Sequence, residues 1–252
     1  MRELPESDAA SPADPERTLL LSVLMPVFNE REYLRECVET ILAVPLPGNI
    51  GREILLVDDA STDETRNIAS ALARENPETI RLFVQEKNGG KGTAIQRAIA
   101  EMKGDLAIIQ DADMEYDPND YLVLLPPLLD GRADVVYGSR FATKSERPIL
   151  KYRHQLGNKF LTFLSNLMTD MNLTDMETCY KLFRADILRD LNLESRRFGI
   201  EPEITAKIAR RNHSVFEVPI RYDARTRAEG KKIGWRDGVS AIYTIFKYSF
   251  RD

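Results

Sequence analysis

Apolar runs of strand length recur along the first half of this chain, and most of them end in charged or polar residues. Leu19 to Val27 runs into Asn29 and Glu30, Glu53 to Val57 into Asp58 and Asp59, and Asp105 to Gln110 into Asp111 and Asp113. Ala133 to Tyr137 runs into Ser139 and Arg140, and Ile80 to Val84 into a loop at Asn88, Gly89 and Gly90. Helical patterns lie between the runs. Tyr33, Leu34, Cys37, Val38, Ile41 and Leu42 recur at spacings of three and four, Thr93 to Met102 is helical, and Pro118 opens a helix to Leu129. Ser61 or Thr62 can cap the helix after the second run. Strands alternating with helices predict an α/β domain with a mostly parallel central sheet flanked by helices. Ligands of such sheets bind beyond the carboxyl ends of the strands. Three strand ends carrying carboxylates repel one another unless a cation or hydrogen-bond donors sit among them.

Composition narrows the function. The 252 residues carry 35 Lys and Arg against 40 Asp and Glu, a net charge of −5. A mildly acidic chain lacks the basic footprint of a general nucleic-acid binder. Cys37 and Cys179 are too few for a disulfide framework or a thiolate zinc site, and read as packing thiols. His154 and His213 exclude a histidine-rich metal site, so any metal would be hard and oxygen-bound. Residues 1–17 are acidic and proline-bearing, the opposite of a secretory leader, and no apolar stretch is long enough to span a bilayer. The expected compartment is the cytoplasm.

Asp111-Ala112-Asp113, with Glu115 two further on, carries the strongest chemical signal. Alternate residues of an extended chain face one side, so the three carboxylates converge if the chain stays extended. Carboxylate oxygens suit Mg²⁺ or Mn²⁺, with substrate phosphates completing the shell. Asn88 to Thr93 is glycine-rich but lacks the Walker spacing. It reads as a flexible loop entering a helix, whose N-terminus would contact a phosphate. Asp175, Thr178 and Glu201 are candidates for a base. Asp175 also reads as a turn cap, and helix-dipole complementarity alone explains Glu201 or Glu203. From Trp235 to Phe250, Val239, Ile242, Tyr243, Ile245, Phe246 and Phe250 form an amphipathic stripe. That helix either docks on the domain or lies in a membrane interface, with Lys231, Lys232, Arg236 and Lys247 near anionic headgroups.

The segments SVLMPVFNE, LLVDDASTD, NGGKGTAI, DAD, VYGSRF, TDMETCYKLF, FGIEPEI, VPI and ARTRAEGKKI, in this order, resemble the family-two nucleotide-sugar glycosyltransferases of the GT-A fold. Within them, the polyprenyl-phosphate sugar transferases, such as dolichyl-phosphate mannose synthase, are most similar. The resemblance implies a Rossmann-like single domain and a nucleotide pocket started by Pro26, Asn29 and Glu30. It implies that Asp58 reads the base edge, with Asp59 structural beside it, and that Lys87 and Lys91 border the loop below the nucleotide. Asp111 then lies near ribose and diphosphate. Asp113 is the principal metal ligand, supported by Asp111 and Glu115. Arg140 and Arg153 face the acceptor side, Asp175 faces the reaction centre, and Arg225 and Lys231 clamp the diphosphate. The basic run around Arg225 and Lys231 also reads as a solvated loop.

These readings divide the chain into a flexible tail (1–17), a catalytic domain (18–234) and a C-terminal amphipathic helix (235–252). The domain comprises a nucleotide-binding part (18–141) and an acceptor-side part (142–234). The implied reaction is inverting, metal-dependent transfer of a sugar from a UDP- or GDP-sugar donor to an acceptor. A polyprenyl or dolichyl phosphate is expected as acceptor, with a glycan hydroxyl as the alternative. Peripheral contact with a membrane would follow. A sugar-nucleotide synthase would need a glycine- and arginine-rich loop after the first strand, where Pro26 to Glu30 stands instead. A silent sugar-nucleotide-binding module would be marked by loss of the metal carboxylates, which are present.

Overall fold

The computed structural model describes residues 18–142, 152–224 and 235–250, without the side chains of 153, 154 and 235–237. Seven strands form one sheet in the order β3-β2-β1-β4-β6-β5-β7. β1 (Leu19–Val27), β2 (Ile50–Asp58), β3 (Ile80–Val84) and β4 (Leu106–Ile109) are parallel neighbours. β5 (Val135–Ser139) is parallel to β7 (Val215–Pro219), and β6 (Lys181–Arg184) runs antiparallel between β4 and β5. The centre of β1 and all of β4 are buried, as a strand covered on both faces must be. Eight α-helices and a short 3-10 helix (Pro118–Asp120) complete the described chain: α1 (Leu34–Ala43), α2 (Thr65–Glu75), α3 (Lys91–Glu101), α4 (Tyr121–Leu129), α5 (Tyr152–Thr169), α6 (Ala185–Asp190), α7 (Ile200–Arg210) and α8 (Trp235–Ser249). α3 packs on β1 and β2, α4 on β5 and β6, and α8 on α5 and α7.

β1 and β3 occupy the segments their apolar runs predict. The later half adds β6 and β7 to the sheet. β6 was obscured because Lys181 is a charged residue with no exposed surface. α1 starts at Leu34 with Tyr33 as its N-cap residue, and Asn29, in the loop before it, adopts a positive φ of 52°. The expected cap of α2 is corrected. The Ser61 hydroxyl accepts from Asn29 N (3.0 Å), and Thr62 N donates to Asn29 Oδ1 (2.9 Å). These bonds join the loops after β1 and β2 at one end of the sheet.

Candidate active site

β4 delivers Asp111 to the strand ends, and Gln110 fixes its backbone. The buried Gln110 amide donates to Asp111 O (2.8 Å) and its carbonyl accepts from the Tyr121 and Tyr180 hydroxyls at 2.6 and 2.7 Å. The first residue of α3, Lys91, reaches across to the Asp111 carboxylate at 2.9 Å and to Glu201 Oε1 at 3.1 Å. Glu201 Oε2 accepts in turn from the fully buried Lys181, which also donates to Thr178 O. Asp111, Lys91, Glu201 and Lys181 thus form a row of alternating charge. Burial pulls the Lys91 ammonium down, but the charge of Asp111, with Cys179 and Glu201, more than offsets it and holds Lys91 well above its ordinary value. Lys91 is therefore a fixed cation.

Past Asp111 the chain turns instead of staying extended. Met114 takes a φ of 58°, and Asp113 Oδ1 accepts from Glu115 N at 3.1 Å. Simple alternation therefore does not bring Asp111, Asp113 and Glu115 together, which corrects the sequence expectation. Glu115 Oε2 accepts from the Tyr222 hydroxyl at 2.6 Å, and Asp223 N donates to Glu115 O at 2.9 Å. The chain leaving β7 is pinned beside the Asp113–Glu115 turn by these bonds. Among the described residues no group of three His, Cys, Asp or Glu is arranged to hold a metal unaided. The donors nonetheless suit a hard divalent cation, which commonly binds one or two carboxylates and takes substrate phosphates for the rest.

β5 ends in Ser139, and Arg140 follows it. Its Nε and Nη2 donate to the two oxygens of Asp175 at 2.7 Å each, and its backbone N adds a third bond at 3.0 Å. Both side chains are buried, and the guanidinium stacks 5.0 Å from the centre of the Tyr222 ring. Tyr222 thus touches both halves of the site, Arg140 on one side and Glu115 on the other. Sequence reasoning passed over Tyr222, and only its place directly after the VPI motif could have drawn attention to it.

At the end of β2, Asp58 is fully buried, with Oδ2 on Arg66 Nε (2.9 Å) and Oδ1 on Ser61 N (3.2 Å). Glu30 N donates to Thr65 Oγ1 (2.8 Å), and Pro26 lies within β1, paired with Val57. Asp59 receives Gly89 N and Gly90 N at 2.7 Å each and Gln85 Nε2 at 2.9 Å. In the glycine-rich loop the Gly89 and Gly90 amides thus serve Asp59, and the glycines permit close packing. A Cβ on Gly92 would lie 2.0 Å from Ser195 O, and one on Gly90, at φ 88°, 2.7 Å from Arg196 O.

The base candidates divide. Asp175 has both oxygens committed to Arg140, and Glu201 bridges two lysines. Glu203 caps the preceding loop by accepting from Glu194 N and Ser195 N. Between them lies Glu177, within the quoted TDMETCYKLF segment but not singled out. Part of its side chain reaches the surface, yet Oε1 is enclosed with no hydrogen-bond partner. Burial, then the charge of Glu201, pushes the carboxyl up to about 7, against the opposing pull of Lys181 and Arg140. The Arg225 and Lys231 positions and the side chain of Arg153 lie outside the described residues.

Residues 22–191 match the family model described as glycosyl transferase family 2. An undecaprenyl-phosphate mannosyltransferase of Micrococcus luteus is 31% identical over 227 residues, covering 87% of this chain and 90% of that protein. A dodecaprenyl-phosphate galacturonate synthase of Rhizobium johnstonii is 26% identical and covers 92% of this chain, which spans 66% of that longer protein. Among solved structures, glucosyl-3-phosphoglycerate synthase of Mycobacterium tuberculosis, crystallised with Mn²⁺, UDP and glucosyl-3-phosphoglycerate, superposes with a TM-score of 0.70. That match covers 94% of this chain and 82% of the other at 18% identity, a likeness of fold.

Proposed function

This chain belongs to glycosyl transferase family 2, and from that premise we propose that it transfers one sugar from a UDP- or GDP-sugar to a polyprenyl phosphate. The observation that carries the reading is the convergence of fixed cations and carboxylates beyond the strand ends. Lys91 is locked beside Asp111, and Arg140 is held by Asp175 and Tyr222. The acceptor class follows from the relatives. The sugar in their names changes from mannose to galacturonate while the polyprenyl phosphate stays.

In the proposed reaction an acceptor phosphate oxygen attacks the anomeric carbon. The bond to the nucleoside diphosphate breaks on the opposite face, inverting that centre. An ionised phosphate needs no base. Asp113, with Asp111, would hold Mg²⁺ or Mn²⁺ against the donor diphosphate, and the ion would neutralise charge growing on the leaving group. Lys91 orients Asp111. Arg140 offers Nη1, the guanidinium nitrogen that Asp175 leaves unused, to phosphate oxygen. Arg225 and Lys231 follow the pinned Tyr222 in sequence and would clamp the diphosphate. Pro26, Asn29, Glu30 and Asp58 would border the nucleoside, and for Asp58 to read a base it must release Arg66.

A second reading, transfer to a glycan hydroxyl, has one observation in its favour. Glu177, with a carboxyl near neutral pH, is tuned as a general base would be. The test is a panel of UDP- and GDP-sugars offered with a short, water-soluble polyprenyl phosphate or a glycan, with and without Mn²⁺. Metal-stimulated product on the phosphate supports the proposal. Product on the glycan alone replaces it with the second reading, and no transfer from any donor removes both.

A further inference from the structure

Among the described residues, three side-chain oxygens are enclosed without a hydrogen bond: Glu177 Oε1, Thr178 Oγ1 and Glu201 Oε1. All three belong to one place. The Lys181 ammonium donates to both Thr178 O and Glu201 Oε2, and Glu201 is the charge that acts most strongly on Glu177. Glu201 Oε1 lies 3.1 Å from Lys91 Nζ, an ion pair without the alignment of a hydrogen bond. Buried oxygens left unpaired are destabilising, and native structures keep few of them. Thr178 is fully buried and Glu201 nearly so, whereas Glu177 is half-buried. Glu177 is therefore the member of the group that a solute can reach. The last torsion of a glutamate is broad, so Oε1 can turn outward at little cost.

Glu177 stands between the two ends of the proposed reaction. On one side Glu201 is joined through Lys91 to Asp111. On the other, Asp175 grips Arg140, and both of these charges act on Glu177. In a direct displacement the transferred sugar lies between the leaving oxygen and the attacking oxygen. With the diphosphate at Asp111 and the acceptor phosphate at Arg140, the group between them faces the sugar. An ionised phosphate acceptor needs no base, which leaves this carboxyl to the sugar hydroxyls. Charge then selects the kind of sugar. Asp111, Glu201 and Asp175 each hold a cation, and the two cations that act on Glu177, Lys181 and Arg140, are committed to Glu201 and Asp175. A hydroxyl would donate to Oε1, but a sugar carboxylate would meet Glu177 and Glu201 with no cation assigned to it. We propose that Glu177 receives a hydroxyl of the donor sugar and, with Glu201 behind it, restricts the enzyme to neutral sugars by repelling uronates. The inference deepens the nucleotide-sugar reading and rests on it.

The test is calorimetric titration of the full chain with Mn²⁺ at pH 8, where a carboxyl titrating at about 7 is mostly ionised. The ligands are UDP, UDP-glucose and UDP-glucuronate, with GDP, GDP-mannose and GDP-mannuronate as the guanosine set. Within each set the two sugars differ only in a carboxylate at the sixth carbon. The neutral donor should bind at least about tenfold more tightly than its uronate partner. Glu177→Gln keeps the shape and offers an amide that donates to a carboxylate, so it should gain uronate affinity and narrow that ratio to about threefold or less. A gain of affinity cannot come from a misfolded variant. Glu177→Ala should weaken the neutral donor at least about fivefold and leave the free nucleoside diphosphate unchanged, which also reports an intact fold. Equal binding of neutral and uronate donors by the parent, an unaltered ratio in the glutamine variant, or undiminished neutral-donor binding by the alanine variant would each overturn the role of Glu177 and leave the donor reading standing. No binding by any member of either set would overturn the donor reading and the sugar contact with it.

Discussion

Glu177→Gln turns a buried carboxyl into a test of the site's electrostatics. In the folded protein this group holds its proton up to a pH of about 7, whereas its ordinary value is 4.5. The cause is first burial and second the anionic Glu201. Between those two pH values the unfolded chain has lost a proton that the folded chain keeps. Stability conferred by that proton is therefore complete below about pH 4.5 and drains away as pH rises through 7. At ~1.36 kcal/mol per pKa unit, the displacement corresponds to about 3 kcal/mol. The glutamine variant does not titrate, so its stability relative to the parent should climb by about that amount from pH 4 to pH 8. Other titrations are common to both proteins and cancel in the difference. The assay is urea unfolding of both proteins at one-unit pH steps, with the free energies extrapolated to zero denaturant. A difference that stays flat, or that falls as pH rises, would refute the placement of Glu177 beside Glu201 in a desolvated pocket.

Asp113→Ala should lower sugar transfer by at least ~100-fold and abolish Mn²⁺-dependent protection of the protein by nucleotide, read as a lost rise in Tm. Asp175→Ala removes the partner of a buried arginine, which costs about 3–5 kcal/mol and should lower Tm on the order of 10 °C. Gly92→Ala places a Cβ 2.0 Å from Ser195 O and should cost more than ~1 kcal/mol in urea unfolding. Gly157→Ala, on α5 with open space around it, should instead stabilise by about 0.5–1 kcal/mol.

The parts of the fold legible in the sequence were those where local pattern and tertiary environment agree. β1 and β3 are apolar runs broken only by Ser22 and Arg81, and both took their expected bounds. β6 defied the pattern because a lysine at its start is neutralised by Glu201, 20 residues later. The glycine-rich loop was legible as a loop, but its amides belong to Asp59, 30 residues earlier. Asp111, Asp113, Arg140 and Asp175 could each be picked out from their strand ends and segments. What no spacing reveals is which cation takes which carboxylate. Spacing likewise does not say which way Phe160, Phe163 and Leu167 of α5 face; only their exposure shows that they point outward.

The pairing of Arg140 with Asp175 changes what each residue is for. Both oxygens of Asp175 face Arg140 and accept three of its N–H bonds, so in the proposed reaction Asp175 acts as a positioning group. Its effect falls on Arg140. The Nε–Nη2 edge of the guanidinium is committed to Asp175, Tyr222 stacks on its face, and Nη1 is left with a fixed direction. A donor fixed before the reaction begins has no reorganisation to undergo as charge develops on phosphate oxygen. Arg140→Lys keeps the charge but loses the fork that Asp175 grips. Transfer should therefore fall at least about tenfold in kcat with little change in KM for the donor, because the interaction lost is one strengthened in the transition state. A rise in KM for the donor with kcat unchanged would mean that Arg140 serves ground-state binding, and the assignment of Asp175 as its positioning partner for transfer would fall with it.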